Sequence, residues 1–423
     1  MESTIVLVTT SYPTAGITEA AFIEPELGAL SRNFSRVILL PVIDGGQRPR
    51  MEWANVEVDC SLAERPSALS RLGHLRFLPG AFGLRDLGSM VKGSRSAGML
   101  VSRCLYYMNV ERLRRGFASL IDRRGLDLSQ TLFYTFWFDF PAVALARLSL
   151  SREIRIVSRA HRYDLYDESF RNRPPELRRF ALSRLSGLFA VSEAGAAHLN
   201  RLYPGFEDRI GVRHLGSSKP DPDFIAVANE AESGCQTFLS VSRVDPEKAV
   251  SRNLEFVAAV ACRCPAKKIR WIHVGDGSEM EALRVRCREV LSATGNLTVE
   301  LRGALPNSEV HRLYRSEKLD WLILFSDSEG LPITICEGLS YGVPVIANAV
   351  GGVSEIVSPE AGLTVVPGTA PEMIAERVCS CMDDPEAYVR LKRGAHERWS
   401  RMFSSAALRE HFAIEMAGLQ KKL

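Results

Sequence analysis

Short, mostly apolar runs recur along almost the entire chain and constrain its fold more than any other feature. A strand made of such a run has no polar face to turn toward water. It belongs in a parallel sheet, whose two faces are covered by the helices that connect one strand to the next. In the first half these runs lie at 5–9, 37–40, 132–135, 154–158 and 187–191, with helical spacing over 19–32, 142–149, 176–185 and 193–202. In the second half they lie at 237–241, 270–274, 297–301, 321–325, 343–347 and 363–365, with helices over 251–262, 278–291 and 307–314. This alternation predicts α/β domains, each a parallel sheet between helical layers. The polar stretch 217–234, with its two prolines, is the expected linker. It separates an N-terminal domain over 1–216 from a C-terminal domain over 235–400, whose strand ends are expected to face each other across a ligand cleft. A basic, apolar-striped helix over 401–423 is expected to cross back onto the first domain.

The bulk chemistry excludes several classes. A net charge of +3 gives no general affinity for nucleic acid. Nine cysteines are odd in number and scattered. The close pairs Cys262/Cys264 and Cys379/Cys381 have one-residue gaps inside helical patterns, which suits neither a zinc knuckle nor a redox CxxC. Reduced thiols in a cytoplasmic protein are the expectation. The first residues lack the basic and apolar regions of a signal peptide. No apolar run reaches the ~18–20 residues that a membrane helix needs. The histidines show no metal-ligand spacing, so no metal is expected.

The stretch 320–357 carries the most chemistry. It reads as a buried strand, a polar loop with Glu329 and Gly330, a helix bearing Glu337, a second buried strand and a Gly-Gly loop. A strand that feeds a helix through Gly330, Leu331, Pro332 and Ile333 makes an anion site, because unpaired N–H groups and the positive end of the helix dipole converge there. The two carboxylates on either side suit hydroxyl groups. A phosphate flanked by two polyols describes a nucleotide sugar. In SVSRVDPEKAV (240–250), Arg243 and Lys248 flank a turn at a strand end, where two cations suit a diphosphate. In HVGDGSEMEAL (273–283), Gly275 opens a tight turn that lets backbone approach a base or ribose.

Together, SRVDPEK, HVGDGSE, RGALPNSEVHRLY, EGLPITICE and GVPVIANAVGGVSEIV resemble the family 4 glycosyltransferases of the GT-B fold. The resemblance covers 235–420 and is weaker over the first half. It implies two Rossmann-like domains, a nucleotide diphosphate-sugar donor, retention of configuration, and no metal or other cofactor. It places Glu329 on the donor sugar hydroxyls, Glu337 on the ribose, Arg243 and Lys248 on the diphosphate, and the backbone of 330–333 against sugar and diphosphate. In the first half it assigns Gly16 to a loop near the phosphates or acceptor, and His161, within VSRAHRYDLYDE, to the reacting centre beside Asp164. Trp137 and Asp139 line either an acceptor pocket or the core. A non-catalytic scaffold, or another GT-B enzyme such as an epimerase, stays open as an alternative.

Residues 71–124 hold eleven basic residues against three acidic ones, interleaved with leucines and aromatics. Such a surface suits an anionic membrane face. The resemblance implies a glycan or lipid-linked acceptor, with bacterial polysaccharide synthesis at the inner face of the plasma membrane as its setting. The plainer reading is a solvated helical face whose apolar side packs on the core.

Overall fold

The computed structural model describes residues 3–14, 17–47, 50–65, 67, 73–77, 94, 96–165, 174–218 and 234–421. Most of the linker expected at 217–234, and Gly16, lie outside these residues. The chain divides into two compact units, Met1–Arg213 with Arg409–Leu423, and His214–Leu408.

The first unit runs β1 (Thr4–Thr9), α1 (Ile17–Asn33), β2 (Arg36–Pro41), β3 (Val56–Val58), α2 (Ala97–Arg124), β4 (Thr131–Thr135), α3 (Phe140–Leu148), β5 (Arg155–Ala160), α4 (Arg162–Leu165), α5 (Pro175–Arg184), β6 (Gly187–Ala190), α6 (Glu193–Leu202) and β7 (Ile210–Val212). The strands form one parallel sheet in the order β3-β2-β1-β4-β5-β6-β7. Strands β1 and β4, apolar but for threonines and a tyrosine, are buried along their whole length. The strand order reverses between them, so the loops that leave β1 and β4 border the ligand crevice of this sheet type.

Helix α2 has clear ends. The Ser96 side chain accepts from the Met99 amide at 3.2 Å, and Gly125 closes the other end at φ 57°. Its apolar side, with Tyr107, Val110, Leu113, Phe117 and Leu120, enters the core. Five of its six arginines are engaged within the unit. Arg114 and Arg115 hold Glu111, both at 2.7 Å. Arg124 holds Glu57 (2.5 Å) and Asp59 (2.7 Å), Arg123 also reaches Asp59, and Arg112 donates to the Leu62 carbonyl at 3.0 Å. The described part of the basic stretch 71–124 is therefore largely neutralised by the protein itself. Residues 71–72, 78–93 and 95 of that stretch lie outside the described residues.

The second unit runs β8 (Cys235–Val241), α7 (Val250–Arg263), β9 (Lys268–Val274), α8 (Met280–Ala293), β10 (Leu297–Leu301), α9 (Asn307–Ser316), β11 (Trp321–Leu324), α10 (Ile333–Ser340), β12 (Val345–Asn348), α11 (Val353–Ile356), β13 (Gly362–Val365), α12 (Pro371–Met382) and α13 (Pro385–Met402). Its parallel sheet has the order β10-β9-β8-β11-β12-β13, with the reversal between β8 and β11. Strand β12 starts two residues later than the apolar run suggested. Gly342 (φ 71°) turns the chain there, and the Val343 amide is bound to the Gly338 carbonyl.

The last helix, α14 (Ser405–Lys421), belongs to the first unit from Arg409 onward. Phe412, Ala413 and Met416 fill that unit's core. The Arg159 guanidinium lies 4.0 Å from the Phe412 ring centroid and is paired with Glu26, which also accepts from the Tyr134 hydroxyl at 2.8 Å. Glu410 adds bonds to Arg32 (2.8 Å) and Asn33 (2.7 Å), and Glu415 pairs with Arg213.

Candidate active site

In the second unit the loops that leave β8 and β11 meet at the reversal point. The Asp327 amide donates to the Glu247 carbonyl at 3.0 Å and fixes one loop to the other. Beside that seam, Lys248 Nζ donates to Glu329 Oε1 at 2.6 Å. The two side chains are only 17% and 6% exposed, so each charge depends on the other for solvation. Lys248 is aimed by its backbone. Pro246–Lys248 form one tight turn, and Ala249 closes it in the left-handed region at φ 44°. A side chain there costs roughly 1–2 kcal/mol, so neighbours must hold the turn. Asp245 does so by accepting from the Ser278 amide (3.1 Å) and hydroxyl (2.9 Å). Those bonds, then Arg243, hold the Asp245 carboxyl below the ordinary range. Arg243 is exposed and binds the carboxylates of its own turn, Asp245 and Glu247, the latter at 2.6 Å.

Glycines set the height of this floor. Gly351 has φ 53°, and a Cβ there would lie 1.8 Å from the Glu329 carbonyl oxygen. The next amide, Gly352, donates to the Gly330 carbonyl at 2.7 Å. The Gly-Gly loop is therefore seated on the backbone of Glu329 and Gly330. At Gly275 (φ 145°) a Cβ would lie 1.7 Å from the Ser242 carbonyl oxygen. The close approach that Gly275 permits is thus to the chain's own loop after β8. Gly330, Leu331 and Pro332 are buried, and Ile333 begins α10.

One turn into α10, Glu337 is buried and accepts from Asn307 Nδ2 at 2.8 Å. Burial pushes its carboxyl up to about 7, against the opposing bond from Asn307. His311 Nε2 lies 3.9 Å away, and its Nδ1 meets the Tyr341 hydroxyl at 3.0 Å. Burial first, then Arg315, lowers His311 to about 4, so it faces Glu337 as a neutral ring.

The first unit gathers a second group at its own reversal point. The His161 ring sits against Phe136 (4.6 Å between centroids) and Trp137 (4.5 Å). Neither ring nitrogen has a hydrogen-bond partner among the described residues. Burial, then the charge of Arg159, holds its pKa well below the ordinary value, which leaves a neutral imidazole. Asp164 anchors the site by accepting from the His161 amide and from the Phe138 amide at 2.6 Å. Burial pushes its carboxyl up to about 7, against Arg178 and those amides. Glu19 ties the neighbouring loops together. It accepts from the amides of Thr10 (3.1 Å), Ser11 (2.6 Å) and Tyr12 (2.9 Å) and from Trp137 Nε1 (2.7 Å).

Sequence reasoning missed Glu19 and Asn307. Glu19 was visible only as an acid in the first turn of a helix after a strand and loop. Asn307 opens α9, thirty residues before the carboxylate it holds. Asp139 is buried at the start of α3, beside this group.

Residues 223–398 match the model of the family glycosyl transferases group 1. That domain spans the Lys248–Glu329 pair, Glu337 and both glycine loops. The D-inositol 3-phosphate glycosyltransferase of Corynebacterium glutamicum (strain R) is 31% identical over 215 residues, which are 48% of this chain and 50% of that protein. A GDP-mannose-dependent monoacylated alpha-(1-6)-phosphatidylinositol monomannoside mannosyltransferase of Corynebacterium glutamicum is 44% identical over 59 residues, or 14% of this chain and 15% of that protein. The chain spans about half the length of the first curated relatives it matches. Among solved structures, a glycosyltransferase of Rickettsia africae ESF-5 is similar at a TM-score of 0.66 and 16% identity, over 100% of this chain and 99% of that one. Anabaena Alr3699/HepE in complex with UDP and glucose is similar at a TM-score of 0.63 and 16% identity, over 98% and 100%. Two parallel-sheet α/β domains with these neighbours are the GT-B fold.

Proposed function

We propose that this protein is a retaining glycosyltransferase of family 4 type, which moves a sugar from a nucleoside diphosphate to an acceptor hydroxyl. The observation that carries the reading is the ion pair of Lys248 and Glu329, shielded from water where the β8 and β11 loops meet. A sheltered cation beside a sheltered carboxylate suits a ligand with a charged leaving group next to a neutral polyol. Lys248 and the exposed Arg243 stabilise the negative charge that grows on the diphosphate as the glycosidic bond breaks. That is the task a divalent cation performs in other designs, so the reaction needs none. Glu329 accepts from donor-sugar hydroxyls, Glu337 accepts from the ribose, and the backbone of 330–333 lies along sugar and diphosphate.

The electron pair of the broken bond leaves with the diphosphate, and the acceptor oxygen bonds to the same face of the sugar. The departing phosphate takes the acceptor proton. His161, neutral and unpartnered among described residues, positions and polarises the reacting groups rather than serving as the sole base. The relatives named for D-inositol 3-phosphate and for a phosphatidylinositol mannoside support a polyol-phosphate or lipid-linked glycan acceptor. No helix of the described residues is long and apolar enough to cross a membrane.

A thermal-shift panel of nucleoside diphosphates and their sugars, with and without EDTA, tests the proposal. Stabilisation by one base, unchanged by EDTA, is expected. A flat response to every nucleotide sinks the donor assignment, and stabilisation abolished by EDTA sinks the metal-free mechanism.

A further inference from the structure

The donor site accounts for none of the seven cysteines of the second unit. Two of them meet where α7 and α12 pack together. Cys264, which ends α7, and Cys379 within α12 hold their Sγ atoms 2.8 Å apart, although 115 residues of chain separate them. A disulfide bond is about 2.05 Å long, so the sulfurs need to close by only about 0.8 Å. The helices on either side are already fastened. Arg252 donates to the Thr369 carbonyl (3.1 Å), Arg263 to Glu376 (2.9 Å) and Lys267 to Asp383 (2.6 Å). Val257, Val260, Ile374 and Val378 share one core cluster beneath the pair. The fastened helices thus hold the two sulfurs close to bonding distance.

We propose that Cys264 and Cys379 are a redox site, which a small disulfide such as oxidised glutathione converts into an intramolecular bridge that staples α7 to α12. Cys264 is partly exposed and Cys379 is buried, so Cys264 meets the oxidant first. Its thiolate attacks one sulfur of oxidised glutathione, forms a mixed disulfide and expels one glutathione thiolate. Cys379 then loses its proton and attacks Cys264 Sγ, which expels the second glutathione thiolate. The protein loses two thiol protons and two electrons, and the oxidant becomes two glutathione molecules. Burial, then the contact with Cys264, pushes the Cys379 thiol up to about 12, so the second step is slow at neutral pH and quickens as pH rises.

The site is distinct from the donor site. Helix α7 returns from the end of β8 to the start of β9, so Cys264 lies by the starts of the parallel strands while Lys248 follows their ends. The bridge closes a long loop, so it restricts the unfolded chain and raises stability without touching the nucleotide.

The test treats the full-length protein with excess oxidised glutathione, quenches with an alkylating agent, and maps unreduced peptides by mass spectrometry. The expected product is lighter by two hydrogens and yields a Cys264–Cys379 cross-linked peptide. Its melting temperature rises by several degrees and returns on reduction, while stabilisation by nucleoside diphosphate is unchanged. Cys379→Ser is expected to stop at a glutathione adduct on Cys264, and Cys264→Ser to form no bridge. Absence of the cross-linked peptide, with both thiols still alkylated after denaturation, overturns the proposal. So does a bridge between Cys262 and Cys381 instead.

Discussion

If Glu337 holds the ribose as proposed, its buried carboxyl ties nucleotide affinity to pH. Burial raises it from the ordinary 4.5 to about 7. It must be ionised to accept from both ribose hydroxyls, so the competent fraction falls below pH 7. One unit lower, about a tenth of the molecules carry the carboxylate, and apparent affinity is about tenfold weaker. Stability runs the other way. The folded pKa lies above the unfolded one, so this group's stabilising contribution is complete below pH 4.5 and is lost as pH rises through about 7. The shift corresponds to at most roughly 3 kcal/mol. Affinity is therefore expected to climb from pH 6 to 8 while stability declines. Titration calorimetry with a nucleoside diphosphate across this range measures the first trend. The ligand's terminal phosphate itself titrates near pH 6. The readout is therefore the difference between wild type and Glu337→Gln, whose side chain keeps its size and cannot ionise. Equal pH slopes in the two proteins would refute the coupling.

Lys248→Ala leaves Glu329 sheltered without its cation, a loss of about 3–5 kcal/mol, whereas Lys248→Ala with Glu329→Gln recovers much of it. Chemical denaturation of wild type and the two variants checks this, and equal losses in single and double variants contradict it. Gly351→Ala puts a methyl group against the Glu329 carbonyl and is expected to weaken nucleotide-sugar binding at least tenfold, read by thermal shift. Unchanged binding means that the loop yields. His161→Ala is expected to cut turnover far more than it changes the nucleotide melting shift, and wild-type turnover removes this ring from the reacting centre.

The sheets were legible because most strands are rich in apolar, β-branched residues between helical stretches. Strand β10 lies at 297–301, as its run of residues suggested. The three-residue strands β3 and β7 were not legible, because an edge strand that short holds too few residues to show a period. Helix α2 was hidden by its arginines, because the carboxylates of Glu57 and Asp59 that pair with Arg124 lie far back in the chain. Glu329, Glu337, Arg243 and Lys248 could be picked out because strand–loop–helix spacing marks loops where anions bind. Which cation would face which carboxylate could not be read. That depends on the left-handed turn at Ala249, where the residue type gives no hint of a positive φ. The Cys264–Cys379 approach was equally invisible, since sequence spacing shows only neighbours.

The dependence of the first unit on 409–421 sets an order of events at the ribosome. Phe412 and Met416 complete a core whose other residues, Ile5 to Phe189, are made before the whole second unit. At about 5–20 residues per second, translation of 214–408 takes roughly 10 to 40 seconds. Throughout that interval the nascent first unit has an open apolar slot and an Arg159–Glu26 pair without its aromatic cover. Chaperone supply and growth temperature should therefore govern the yield of this protein, and changes to its last helix should lower yield before they lower activity.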